Sequence, residues 1–122
     1  DFPEPARKLV DLIDSPAVGI NLDYGNAIHF PRPVPLADAI GQCGDRLYFT
    51  HLKNYAAIRG TTGRLATGLA DGDINNREFV RLLMESGYDG PLCIEAPRAG
   101  DREWFALQDL VYLQAVLEDL RW

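Results

Sequence analysis

Three short strand-like runs, each ending on a polar residue and separated by helical patterns, constrain the fold of this chain more than any other feature. The runs occupy residues 18–23, 47–51 and 91–95. The first alternates apolar and polar residues, the second is rich in aromatic residues, and the third is largely apolar, so all three predict strands. Strands that alternate with helices pair in parallel through crossover connections, which predicts an α/β fold.

Helical patterns fill most of the remaining sequence. Helices are predicted over 4–14, 35–42, the segment from Asn75 to Gly87, and 102–120. Asn75 and Glu78 have the spacing of a capping box, Gly87 is a typical helix terminator, and Asp101 is placed to cap the last helix. The last helix is expected to bury one apolar side. That side comprises Leu107, Leu110, Val111, Leu113, Leu117 and Leu120. The Gly- and Thr-rich residues 54–73 predict at most a short strand near 65–67.

Chain length, charge and cysteine content exclude several classes of protein. The 122 residues suffice for one domain, predicted over 1–122, and the net charge of −6 argues against a surface that coats nucleic acid. No apolar run is long enough to span a membrane. Cys43 and Cys93 are too few for a disulfide scaffold and are expected to be small core residues, so a cytoplasmic location is predicted. His29, beside a proline-rich stretch, is interpreted as a loop histidine.

The three predicted strands end on Asp23, His51 and Glu95. The carboxyl ends of parallel strands lie at one edge of a sheet, where α/β folds form their sites. Two carboxylates and an imidazole suit a hard or borderline divalent metal. The spacings of 28 and 44 residues exclude a local finger and fit one ligand on each strand.

Each candidate also has a structural interpretation that the sequence leaves open. Asp23 could cap the loop that follows it, and His51 could be a core histidine among aromatic residues. Lys53 would point the same way as His51 from an extended strand, or it could be a solvated loop lysine. Arg98 could lie on the surface. Glu95 follows an apolar run, and burying it without a role would be costly.

Four segments of the chain resemble the xylose isomerase-like TIM barrels, a family that includes sugar-phosphate isomerases and epimerases and endonuclease IV. The segments are GINLDYGN (19–26), HLKN (51–54), GLADGDIN (68–75) and GYDGPLCIE (87–95). The resemblance implies that Asp23, His51 and Glu95 bind a divalent metal (Mn, Mg, Co or Zn). It also implies that Glu95 moves protons during catalysis.

The resemblance extends to residues that would contact a substrate. Asn26 stands where many members have a substrate-binding histidine, so it is a candidate substrate-binding residue. Lys53 is a candidate catalytic residue that would stabilise an enediolate or a substrate anion. Arg98 is a candidate for orienting a phosphate or carboxylate. The implied substrate is a small sugar or sugar phosphate.

The resemblance places the chain on strands five to eight of the barrel and therefore predicts half of a (β/α)8 TIM barrel. The fourth-strand glutamate, the family's second acid/base, is absent from this sequence, so the isolated chain is expected to lack full activity. The implied function is metal-dependent isomerisation or epimerisation through an enediolate. A metal-dependent dehydratase of an inosose or dehydroshikimate and a non-catalytic fragment remain alternatives.

The half-barrel interpretation also predicts a partner. Four parallel strands would leave two open edges, which parallel sheets rarely tolerate. A homodimer that completes the barrel is expected, because two copies approach the roughly 250 residues of a TIM barrel. The other possibility is an N-terminal half belonging to a longer chain.

Overall fold

The computed structural model describes residues 3–122 as helices alternating with short strands. The helices are α1 (Glu4–Ile13), α2 (Tyr24–Ala27), α3 (Leu36–Cys43), α4 (Asn76–Glu85) and α5 (Arg102–Leu120), with a 3₁₀ turn at Gly44–Arg46. The strands are β1 (Ile20–Asp23), β2 (Leu47–Leu52), β3 (Asn54–Ala57), β4 (Arg64–Thr67) and β5 (Leu92–Ile94). Short α2 and β3 are elements that the sequence pattern did not indicate.

The main sheet has the order β1–β2–β5, and both pairings are parallel, which confirms the predicted α/β fold. Asp23 pairs with His51, and His51 pairs with Cys93, two residues before Glu95. The expected count of four parallel strands is wrong for residues 3–122, because this sheet has three. The segment after β2 folds into an antiparallel hairpin and supplies no further parallel strand.

That hairpin joins β3 to β4. β4 confirms the short strand predicted near residues 65–67, and β3 is an additional strand. The hairpin turn closes through a hydrogen bond that the Ile58 amide donates to the Gly63 carbonyl at 2.9 Å. Gly60, at φ +79°, adopts the left-handed conformation that the turn needs. Because β3 is only four residues long and follows β2 almost directly, it gave no separate strand signal.

The helices form a row in which α3 contacts α1 and α4, and α4 contacts α5. α1 and α3 also contact β1, and α5 contacts β5, so the row covers the sheet. The core between these layers contains fully buried apolar side chains. They include Leu22, Leu52, Phe79, Val80 and Leu83. The cap predicted for α4 is confirmed, since Asn75 accepts a hydrogen bond from the Glu78 amide at 3.0 Å.

The orientation of α5 differs from the prediction. Asp101 caps this helix as expected, and Leu113 is buried. However, Leu107, Leu110 and Val111 are exposed, at 51%, 43% and 65%. The cause is Asp109, a residue that a hydrophobic pattern places outside but that is only 3% exposed here. Its inward position turns the neighbouring apolar residues away from the core.

Among the helices of residues 3–122, none combines the length and the apolar character that crossing a membrane requires.

Candidate metal centre

The parallel register brings three side chains from three strands to one point. Asp23, His51 and Glu95 each offer a ligand atom, and these atoms lie within 4.8 Å of one another. The His51 Nδ1 atom is 3.5 Å from Asp23 Oδ2 and 3.4 Å from Glu95 Oε2. Asp23 is the last residue of β1, and Glu95 directly follows β5, where its amide donates to the Leu52 carbonyl at 2.9 Å.

Asp23 has two structural roles at once. Its Oδ1 accepts a hydrogen bond from the Asn26 amide at 3.0 Å and so caps α2, as the alternative interpretation expected. Its Oδ2 faces His51 and accepts from Asn26 Nδ2 at 2.8 Å. Both carboxylate oxygens therefore bind Asn26, and Oδ2 also points toward the site.

His51 is half-buried and does not belong to the buried apolar core. Its ring meets Phe49 edge-on at a centroid distance of 5.6 Å, and its Nδ1 faces the two carboxylates. Asn21 Nδ2 lies 3.5 Å from the same Nδ1. These neighbours orient the imidazole so that it can act as a ligand.

Lys53 is the best-buried member of the cluster, at 4% exposure, so the interpretation as a solvated loop lysine is wrong. Its Nζ donates to Asp23 Oδ2 and to Glu95 Oε2, both at 2.8 Å, and to Asn26 Oδ1 at 3.1 Å. Burial disfavours the charged ammonium, but the hydrogen bonds to Asp23 and Glu95 outweigh burial and raise the pKa of Lys53. Lys53 therefore carries its positive charge between the two carboxylates.

The backbone of Lys53 is held by a buried network of two asparagines. Asn76 Nδ2 donates to the Lys53 carbonyl at 3.3 Å and to the Leu69 carbonyl at 3.0 Å. Asn54 Nδ2 donates to the carbonyls of Leu69 and Ile74, and its Oδ1 accepts from the Ile74 amide at 2.9 Å. Because buried amides that satisfy several backbone groups rigidify their surroundings, this network fixes the strand end that carries Lys53.

An open cavity of about 530 Å³ lies over these residues. It is lined by Asn21, Asp23, Asn26, Ala27, Phe30, His51, Lys53 and Glu95. Sequence reasoning missed Asn21 and Phe30. Asn21 could have been found, because it lies two residues before Asp23 on the same face of β1. Phe30, 52% exposed in a loop, carries no comparable signal.

A second cavity, of about 570 Å³, lies at the opposite ends of the strands. Its lining includes Leu47, where β2 begins, and Tyr88 and Asp89, which precede β5. In barrel folds, catalytic residues lie at the carboxyl ends of the strands, and the amino ends serve stability. The cavity over Asp23, His51 and Glu95 is therefore the candidate site.

Arg98 is predicted from the sequence to bind substrate, but it lies elsewhere. Unlike Glu95, Lys53 and Asn26, it does not line this cavity. Its Nη2 donates to Asp109 Oδ2 at 3.0 Å and to the Phe105 carbonyl at 3.1 Å. The guanidinium also lies 4.1 Å from the centre of the Phe105 ring, and Arg98 is not among the described residues that line the cavity. The structure therefore engages Arg98 in fastening α5, where Asp109 also accepts from the Leu69 amide.

The other residues singled out in the sequence stay outside the site. His29 is exposed and meets the Tyr55 ring edge-on at 4.8 Å, as suits a loop histidine. Cys43 is fully buried, and burial raises the pKa of its thiol to about 11, which makes it an inert core residue. Cys93 is only half-buried, so its expected core position is met in part.

The donor set fits a divalent cation. Two carboxylates and one imidazole whose ligand atoms lie within 4.8 Å of one another suit Mg²⁺, Mn²⁺ or Zn²⁺. The Lys53 ammonium already bonded to both carboxylates shows that positive charge is favoured at this point.

Comparisons with known proteins identify solved structures with a similar fold. The structure of a xylose isomerase-like TIM barrel protein from Mycobacterium smegmatis in complex with magnesium is 29% identical, with a TM-score of 0.79 over 97% of this chain and 40% of that chain. A xylose isomerase domain protein from Planctomyces limnophilus is 22% identical, with a TM-score of 0.73 over 93% of this chain and 41% of that one. Mannonate dehydratase from Streptococcus suis serotype 2 is 22% identical, with a TM-score of 0.66 over 95% of this chain and 38% of that one.

The chain thus spans about two fifths of the length of these three structures. Curated protein sequences give no significant match. The family model for the xylose isomerase-like TIM barrel matches residues 2–117, almost the whole sequence. Together with the parallel sheet and the ligand cluster at its carboxyl edge, this match shows that the chain belongs to the xylose isomerase-like TIM barrel family.

Proposed function

We propose that the chain carries the metal centre of a sugar or sugar-phosphate isomerase or epimerase that acts through an enediolate. The observation that supports this most directly is the convergence of Asp23, His51 and Glu95 within 4.8 Å on the floor of an open cavity. The magnesium in the 29% identical structure makes Mg²⁺ the first metal to test, followed by Mn²⁺, Co²⁺ and Zn²⁺.

When bound by Asp23, His51 and Glu95, a divalent metal would supply Lewis acidity to a substrate carbonyl. Glu95 is the proposed base, because its side chain is 45% exposed at the cavity, whereas that of Asp23 is 13% exposed and caps α2. Its carboxylate takes the proton from the carbon beside the carbonyl, and the C–H electron pair forms the enediolate. Return of the proton to the adjacent carbon, while the hydroxyl proton passes to the former carbonyl oxygen, isomerises the sugar. Epimerisation would need a second acid, supplied from outside the described residues, to deliver a proton to the opposite face of the enediolate.

Two further residues have proposed roles at the substrate. The Lys53 ammonium would stabilise negative charge on the enediolate or on a substrate anion. The Asn26 amide borders the same cavity and would hydrogen-bond a sugar hydroxyl. Arg98 is left out of the proposed site, because its guanidinium is bonded to Asp109 and Phe105.

We also propose that the sheet is completed by further barrel strands. β1 and β5 are the edges of the three-stranded sheet, and apolar side chains are exposed on the first and last helices. They are Leu9, Leu12 and Ile13 on α1 and Leu107, Leu110 and Val111 on α5. Two copies would bring six parallel strands, two fewer than the eight of a TIM barrel, so the strand count favours a partner segment that supplies the five remaining barrel strands over a second copy.

Sedimentation of the 122-residue chain at micromolar concentration tests this assembly. Concentration-dependent self-association without a defined stoichiometry is expected of uncovered edges. A sharp, stable dimer would favour the second copy, and a stable monomer would contradict the need for any added strand.

The activity is tested by proton exchange in D₂O with Mg²⁺ and a panel of ketoses, their phosphates and inososes. With Glu95 as the base, deuterium should enter the carbon beside the carbonyl of one substrate. Glu95→Gln should abolish this exchange, while Glu118→Gln, on the exposed side of α5, should retain it. Loss of water from the substrate would indicate a dehydratase instead. Metal binding without exchange on any substrate would indicate a non-catalytic fragment.

A further inference from the structure

The ammonium of Lys53 and the imidazole of His51 converge on the same two oxygen atoms. Nζ donates to Asp23 Oδ2 and Glu95 Oε2 at 2.8 Å each. His51 Nδ1 lies 3.5 and 3.4 Å from those same atoms. The two carboxylate oxygens that lie beside the imidazole nitrogen are therefore the two that Lys53 occupies.

Both oxygens of Asp23 already accept hydrogen bonds. Its Oδ1 accepts from the Asn26 amide at 3.0 Å and caps α2. Its Oδ2 already accepts from Lys53 Nζ and from Asn26 Nδ2 at 2.8 Å. Since a carboxylate offers about four lone-pair positions, a metal bond at Oδ2 competes with the hydrogen bonds made there.

The charges reinforce this competition. A divalent metal would approach these oxygens to about 2.0–2.2 Å, closer than the 2.8 Å of the ammonium, which would bring two positive centres together in a partly buried site. Like charges at such separation repel strongly where water is scarce. Lys53 has one further partner, Asn26 Oδ1 at 3.1 Å, which is not one of the proposed metal ligands.

We propose that Lys53 is the resident counterion of the site and exchanges with the divalent metal. Metal binding displaces Nζ from Asp23 and Glu95, while its bond to Asn26 keeps the ammonium at the cavity. The ammonium thereby becomes free to meet a substrate oxygen only in the metal-loaded protein. This inference rests on the proposed metal site and adds an order of events: carboxylate release precedes the presentation of Lys53 to substrate.

Metal affinity in lysine variants tests the exchange. The chain has two lysines, Lys53 and the exposed Lys8, whose ion pair with Glu4 on α1 makes Lys8→Met a matched control. Calorimetric titration with Mg²⁺ or Mn²⁺ should show Kd lowered by about tenfold or more in Lys53→Met, equivalent to about 1.4 kcal/mol. Lys8→Met should bind like the wild type. An unchanged or weakened affinity in Lys53→Met would overturn the exchange.

A measurement on the wild type remains decisive if Lys53→Met does not fold. With ¹³C-labelled lysine, the spectrum contains one Cε resonance from Lys53 and one from Lys8. The Lys53 resonance should shift with added Mg²⁺ and saturate together with the calorimetric signal, while the Lys8 resonance stays constant. A stationary Lys53 resonance during metal binding would overturn the proposal.

The failure of the exchange is distinguishable from the failure of the metal site. If the wild type binds metal, His51→Ala loses binding and Lys53→Met is unaffected, the metal site stands and the exchange is rejected. If neither the wild type nor Lys53→Met binds metal, the proposed metal site itself is rejected, and the exchange with it.

Discussion

Replacing Gly25 tests how closely the Lys53 side chain is packed. Gly25 has no Cβ atom, and the Lys53 side chain fills the space that such an atom would need. A Cβ atom at Gly25 would lie 2.3 Å from Lys53 Cγ and 2.9 Å from Cδ. Carbon atoms pack at about 3.5–4.0 Å, so Gly25→Ala demands a displacement of about 1 Å or more. Lys53 cannot move freely, since its ammonium is bonded to Asp23 and Glu95 and its carbonyl to Asn76.

The expected cost follows from these contacts. Overpacking a close-packed site costs about 1–3 kcal/mol, and the gain in helix propensity from glycine to alanine returns at most about 1 kcal/mol. We therefore expect Gly25→Ala to lower the free energy of unfolding by about 1–2 kcal/mol.

Gly41 in α3 is the matched control, because it is exposed and a Cβ atom added there would have no neighbour within 4 Å. Gly41→Ala should raise the free energy of unfolding by up to about 1 kcal/mol. Urea denaturation followed by far-ultraviolet circular dichroism gives both values, provided that the m value is unchanged. A Gly25→Ala protein as stable as the wild type would refute the close packing of Lys53.

Two further predictions concern buried groups outside the site. Asp109→Asn should lower the free energy of unfolding by about 3 kcal/mol, because it leaves the Arg98 guanidinium without its carboxylate. Asp119→Asn, in an exposed ion pair with Arg77, should change it by less than about 1 kcal/mol; equal effects in urea denaturation would contradict the role of Asp109. The second prediction is pH-dependent. Burial raises the pKa of the Cys43 thiol from 9.0, its value when exposed, to about 11 in the folded protein. Between pH 9 and pH 11 the folded protein therefore binds more protons than the unfolded chain. Stability should therefore fall as pH rises from about 9 to about 11, by about 2 kcal/mol. Cys43→Ala should show a shallower fall, and parallel pH profiles would contradict the assignment.

The ligand cluster could be predicted from the sequence because it depends on a simple geometric rule. Each of Asp23, His51 and Glu95 ends a strand-like run, and the carboxyl ends of parallel strands lie at one edge. The rule needs no knowledge of long-range packing. The parallel pairing of Asp23 with His51 then determines the proximity that the structure shows.

The environment of Lys53 could not be predicted in the same way. Alternation along the strand gives the face on which Lys53 lies, but its burial depends on Gly25 and Asn26, which are distant in sequence. A lysine in a polar, Gly-rich neighbourhood is most often solvated. The local pattern therefore left open the environment of the ammonium that bonds to both carboxylates.

The same limit explains Arg98 and α5. A hydrophobic pattern treats Asp109 as a surface residue and faces Leu110 inward. In the structure the carboxylate of Asp109 is buried by its bonds to Arg98 and to the Leu69 amide, and Leu110 is exposed instead. Polar contacts between distant segments thus determine which face of α5 is buried, against the periodicity of its apolar residues. The sequence near Asp109 contains no pattern that predicts these contacts.

The central claim, a divalent metal site made by Asp23, His51 and Glu95, is tested most directly by calorimetric titration of the wild type with Mg²⁺ or Mn²⁺. The chain has two histidines, so His29→Ala serves as the control for His51→Ala. We expect saturable binding to the wild type, equal affinity in His29→Ala, and an affinity at least about tenfold weaker in His51→Ala. Equal affinities in all three proteins, or no binding to the wild type, would contradict the metal site.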